Sequence, residues 1–146
     1  MKTTFVGVAG LAVALLGCNL LDEDPNAAER LQLGLNRQKW STQAIHNYSF
    51  DYDLIAMIFT RPLHIEVRAD TVNQVSDRET GAMYANAGAP TIDSLFGRIG
   101  ALLSSRNSKL AIQYDPSIGY PTRIDAPSDI PDTGSLTTVT NFQRSN

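Results

Sequence analysis

The sequence predicts an α+β domain, two helices packed on one face of an antiparallel sheet, in the order α-β-β-β-α-β-β-β. Three observations carry this. Between Thr91 and Ser104, Ile92, Leu95, Phe96, Ile99, Leu102 and Leu103 fall at helical spacing on one stripe. Tyr48, Phe50, Tyr52 and Leu54 alternate with Ser49, Asp51 and Asp53, the period of a strand with one buried face. Short strand-like runs, separated by turn residues, lie on both sides of the second helix.

Residues 27–44 favour helix, with Leu33, Trp40 and Ala44 near one face and Leu31 and Leu35 beside it. Gly34 costs this helix about 1 kcal/mol relative to Ala. After the Tyr48–Leu54 strand, Ile65 and Val67 alternate with His64, Glu66 and Arg68, and Val72 and Val75 follow across Ala69-Asp70-Thr71, which predicts a hairpin. Met83 to Ala89 reads as a loop. Thr91 can cap the second helix, with Pro90 just outside it and Asp93 near the positive end of its dipole. Leu110 to Tyr114 and Tyr120 to Ile124 then flank a turn at Asp115 to Gly119. A Pro- and Asp-rich loop, Asp125 to Gly134, leads to a last strand, Leu136 to Phe142.

At 146 residues, 42% apolar and 18% charged, the chain is composed like one globular domain. Its net charge of −3 and the lack of a basic cluster argue against nucleic acid as a partner. Cys18 is the single cysteine, which excludes a disulfide within the chain, so the fold rests on its core.

The first 17 residues read as a signal peptide: Lys2 is a short positive region and Phe5 to Leu16 is apolar. A helix of that stretch is about 18 Å long, too short for a hydrocarbon core of about 30 Å. The segment ends Leu15-Leu16-Gly17-Cys18, which resembles the bacterial lipobox. The resemblance implies that Cys18 is acylated and becomes the mature N-terminus, with membrane lipid as its partner. Asn19 after the cysteine implies, by the same resemblance, the outer membrane facing the periplasm. Residues 18–26 then form a short acidic tether, and residues 27–146 a single domain.

Trp40 followed by Tyr48-Ser49-Phe50, then Ile65-Glu66-Val67-Arg68 and Val72, Thr91 to Phe96, and Tyr114-Asp115 with Gly119-Tyr120-Pro121-Thr122, occur in an order that resembles the bacterial family called domain of unknown function 6174. The likeness covers roughly residues 37–142. Two departures stand out: Ala69-Asp70 occupies a turn where Asn-Gly is common, and the cysteines many members carry after the first strand are missing. The family implies secretion or lipidation and no known reaction.

Residues with chemical potential are few. His46 and His64 are the only histidines, and without a second thiol a zinc site needs a shell dominated by carboxylates, so no metal or cofactor is expected. His64, Glu66 and Arg68 share a strand face that is either a proton-transfer group or a solvated polar surface. No nucleophile elbow or phosphate loop occurs. Asp125, Asp129 and Asp132 lie among prolines, either as a calcium loop or as ordinary turn residues. Tyr114, Tyr120 and Pro121 flank one turn, either as an exposed partner-binding edge or as core. Together these features predict a lipoprotein of the bacterial cell envelope that binds or scaffolds an envelope protein or ligand without catalysis. The alternatives are an accessory or inhibitor module of an envelope enzyme, and a hydrolase without recognisable motifs.

Overall fold

In a computed structural model, residues 24–56, 59–86, 88–105, 109–127 and 134–145 are described. The six strands expected all form, and a seventh joins them. Helix α1 spans Ala27–Ser41; strands β1 (Tyr48–Ala56), β2 (Phe59–Arg68), β3 (Thr71–Asp77) and β4 (Met83–Tyr84) follow; then come helix α2 (Ile92–Ser104) and strands β5 (Ala111–Tyr114), β6 (Pro121–Ala126) and β7 (Ser135–Arg144). They build one antiparallel sheet in the order β4-β3-β2-β1-β7-β6-β5. The chain folds a meander outward from β1, crosses the sheet with α2, and meanders back until its last strand pairs with its first. The two-residue β4 lies in the stretch read as a loop. Among the described residues no helix is long and apolar enough to cross a membrane.

The alternation in β1 sets the two faces. Tyr48, Phe50 and Tyr52 point to the core, opposite Val67, Ile65 and Leu63 of β2. The stripe of α2 lies on them, with Ile92, Leu95, Phe96, Ile99 and Leu103 all buried. Thr91 caps α2 as its sequence suggests, its hydroxyl accepting the Ser94 N–H at 3.1 Å. From α1, Trp40 is buried edge-on against Tyr48, with ring centroids 5.5 Å apart, and Leu33 is half-buried, while Leu31 and Leu35 face solvent. Ala44 falls beyond the helix, with a positive φ of 48°.

Two contacts fix how the helices run. The Ile92 N–H donates to the Tyr48 hydroxyl at the start of β1 (3.1 Å), and Arg98 donates to the Tyr52 hydroxyl farther along it (3.5 Å). Helix α2 thus runs alongside β1 in the same direction. Helix α1 runs the opposite way: Arg30 donates to the Leu103 carbonyl at the end of α2, and the Trp40 indole donates to Asp93 at its beginning. The start of α1 therefore lies at the end of the sheet towards which β1 runs, the end that carries the β1–β2 hairpin.

Two departures from regular strand geometry bear on the site and the core. In β7 a bulge opposite Phe50 puts Thr140 and Asn141 on the face away from the helices, with Asn141 at φ 50°. Asparagine tolerates that left-handed conformation better than most residues, and the extra residue returns Phe142 to the core. Between β2 and β3, Ala69 and Asp70 both take positive φ (46° and 62°), so the turn keeps the geometry Asn-Gly usually supplies, at a strain of about 1–2 kcal/mol per residue.

Candidate functional site

The second face of the sheet carries no helix, and among the described residues nothing covers it. Its side chains come from the alternate positions of each strand: Asp51 and Asp53 on β1, His64 and Glu66 on β2, Ser76 on β3, Thr138 and Thr140 on β7. Register places Ser76, His64, Asp51 and Thr140 in one row across four neighbouring strands.

Asp51 is the centre of this face. Although it points away from the core it is only 8% exposed, because its neighbours close over it. One carboxylate oxygen meets His64 Nδ1 at 2.7 Å; the other accepts from Asn141 at 2.7 Å, with Arg78 Nη1 3.6 Å away. Arg78 also pairs with Asp53, which accepts a further hydrogen bond from the Thr138 hydroxyl at 3.4 Å. Burial pushes the Asp51 carboxyl up, but the hydrogen bonds from His64 and Asn141 and the Arg78 charge outweigh it and hold it below 3.8. An ionised carboxylate only accepts, so His64 Nδ1 is the donor and Nε2 is the nitrogen left over.

That arrangement has the order of a nucleophile, a base and an orienting acid, with Ser76 opposite His64 on the side away from Asp51. The resemblance stops there. No hydrogen bond among the described residues joins Ser76 to His64, and the backbone N–H groups around the row are committed to strand pairing. An acyl-transfer centre needs free N–H donors or their equivalent at a developing oxyanion.

The other residues singled out in the sequence lie elsewhere. His46 pairs with Asp70 at 2.8 Å, at the mouth of a cleft of about 370 Å³ floored by Trp40 and flanked by Asp93, at the opposite end of the sheet from the β1–β2 hairpin. Tyr120 packs against Trp40 and Phe142, Pro121 is fully buried, and Tyr114 stacks on Phe96 with centroids 6.3 Å apart. Tyr120 and Pro121 belong to the core, and Tyr114 is half-buried against it. A bulge at Gln113/Tyr114 sets Tyr114 opposite Pro121 and not Tyr120. Asp125 pairs with Arg123 at 3.2 Å, while Asp129 and Asp132 lie outside the described residues, as does Cys18 with its signal segment. Among the described residues no group of three or more metal-ligating side chains converges.

Sequence reasoning found His64 and Glu66 but missed Asp51, Arg78 and Asn141. Asp51 opposite His64 follows from a hairpin centred between β1 and β2, yet the residues there are Met57 and Ile58, and neither marks a turn. Asn141 reaches Asp51 only through the bulge.

A model of the family of unknown function DUF6174 matches residues 32–144. No curated protein and no solved structure matches the chain. With most of its length matched, from within α1 to the end of β7, the chain belongs to the DUF6174 family.

Proposed function

We infer that this is a lipid-anchored protein of the bacterial cell envelope that binds a partner protein or ligand through the open face of its sheet. The observation that carries the reading is the Asp51 cluster. On a broad uncovered face, four charged or polar side chains are already fixed on one another, so docking a partner there costs little additional side-chain ordering. Glu66 and Thr140 lie beside them as groups free to contact a polar partner. The anchor rests on the Leu15 to Cys18 motif and on the short tether behind it, and the outer-membrane, periplasm-facing location rests on Asn19. The partner class is an envelope protein or ligand; the reading assigns no cofactor and no metal.

A second reading, hydrolysis by the Ser76–His64–Asp51 row, is favoured by the short His64–Asp51 contact alone. One set of variants separates the two. In a strain lacking the protein, Cys18→Ser is expected to lose fatty-acid labelling and membrane retention. His64→Gln, which can still donate to Asp51 but cannot serve as a base near neutral pH, is expected to rescue the deletion phenotype. Glu66→Lys is expected to reach the membrane folded and fail to rescue. Failure of a folded, membrane-bound His64→Gln overturns the binding reading in favour of catalysis.

A further inference from the structure

We propose that the outer ends of β1 and β2, where Ile55 and Phe59 are exposed, form a lipid-docking tip that seats in the membrane surface beside the anchor. The proposal rests on the reading of Cys18 as the anchored residue.

The hairpin outruns its neighbour. Pairing between β2 and β3 begins at Leu63 and Asp77, with one further bond from the Arg78 N–H to the Pro62 carbonyl, so Phe59 to Arg61 extend past β3 with no strand partner on that side among the described residues. Apolar residues occupy both faces of this overhang. Ile55 lies on the open face and is 45% exposed; Phe59, on the face that elsewhere meets the helices, is 48% exposed. A strand that merely continued the domain would keep one face polar. Leu136 of β7 lies directly across from Ile55 and widens the apolar surface on the open side. Two residues behind Phe59 on the same face, exposed Arg61 can hold its charge at headgroup level while its stem lies in the apolar layer.

The path of the chain says what meets this tip. Helix α1 begins at the same end of the sheet, beside Leu103, so the described chain starts at Asp24 on the hairpin's side of the molecule. Six peptide steps separate Asp24 from Cys18, and at about 3.3–3.6 Å each they reach at most about 22 Å. A cysteine held in the bilayer therefore keeps this end of the domain close to the lipid. The strained Ala69-Asp70 turn and the His46 cleft, at the far end, are held away from it. An apolar tip on a short leash meets lipid before it meets any diffusing protein, which favours a lipid surface as the occupant.

The test uses the full-length lipidated protein in phosphatidylcholine vesicles. A nitroxide is attached to Phe59→Cys, with Thr71→Cys in the turn at the opposite end as the control, and mass spectrometry confirms acyl chains on Cys18. The nitroxide at position 59 is expected to gain accessibility to oxygen and lose accessibility to a water-soluble nickel chelate on vesicle binding, with no change at position 71. Ile55→Cys is expected to behave as position 59 does. Acylated protein whose tip labels stay as water-exposed as position 71 overturns the docking tip and leaves the anchor standing. Protein without acyl chains overturns both, and mass spectrometry tells the two failures apart.

Discussion

Gly119→Ala tests how the β5–β6 turn is docked on α1. Gly119 has φ +87°, and a methyl group there lies 2.6 Å from the Asn36 carbonyl oxygen and 3.0 Å from Lys39 Cβ. The first contact is with helix backbone, which cannot rotate away. The turn itself is firmly built: Asp115 accepts the N–H groups of Ser117 and Ile118 at 2.9 and 2.8 Å, and Lys39 donates to the Pro116 carbonyl at 2.9 Å. The left-handed backbone costs an alanine about 1–2 kcal/mol, and forcing turn and helix apart adds about 1–3 kcal/mol, for a total of about 2–5 kcal/mol. Gly81→Ala is the matched control, because Gly81 has φ +71° but open space around its Cβ direction. It should lose only the backbone part. The assay is urea unfolding followed by the fluorescence of Trp40, the single tryptophan. With m about 2 kcal/mol per molar, the midpoint should fall by about 1–2.5 M for Gly119→Ala and about 0.5–1 M for Gly81→Ala. Equal shifts for the two variants would refute the steric argument and with it the close approach of turn and helix.

Phe96→Ala should cost about 3–5 kcal/mol in the same assay, since its ring is buried and stacked on Tyr114; an unchanged midpoint would mean that this face of α2 is not core. Tyr114→Phe should instead stabilise by about 1 kcal/mol, because the Tyr114 hydroxyl is buried without a hydrogen-bond partner. Burial, with a smaller push from the Glu29 charge, raises the Tyr114 phenol from 10.0 to about 12. Its linked stability is therefore whole below pH 10 and lost as pH rises through 12, so the variant should show a shallower alkaline fall. At the acid end Asp51 works the other way: its folded-state carboxyl titrates below 3.8, so its contribution is whole above that value and lost as pH falls through the lower folded one. Asp51→Asn should flatten the stability profile below pH 4, and a profile as steep as the parent's would show that the cluster does not hold the carboxylate ionised.

How far the sequence could be read depended on whether each element declared itself locally. Helix α2 did, because its stripe, cap and dipole all agree within one segment. The paired core residues of β1 and β2 were visible through period-2 alternation. The start of β2 was not: the strand begins at Phe59, ahead of the His64 to Arg68 stretch the alternation marked, and Pro62 lies between. The carbonyl of Pro62 accepts the Arg78 N–H at 2.9 Å, on the side away from β1, so the missing proline N–H also falls on that side and costs the β1–β2 ladder no bond. The Asp51 cluster was hidden for a different reason. Its members come from four parts of the chain, and pairing of β1 with both β2 and β7, the bulge at Asn141 and the chain just past β3 bring them together.

That pairing also sets the order in which the protein can be completed. Strand β1 needs β7 on one flank along most of its length, and β7 is the last element among the described residues. Until residues 135–144 have left the ribosome, β1 has an open edge and the core beneath Val139 has no wall. Contacts so distant along the chain form slowly. Completion of the sheet's centre therefore waits on a strand that lies about eighty residues beyond β1 in the chain.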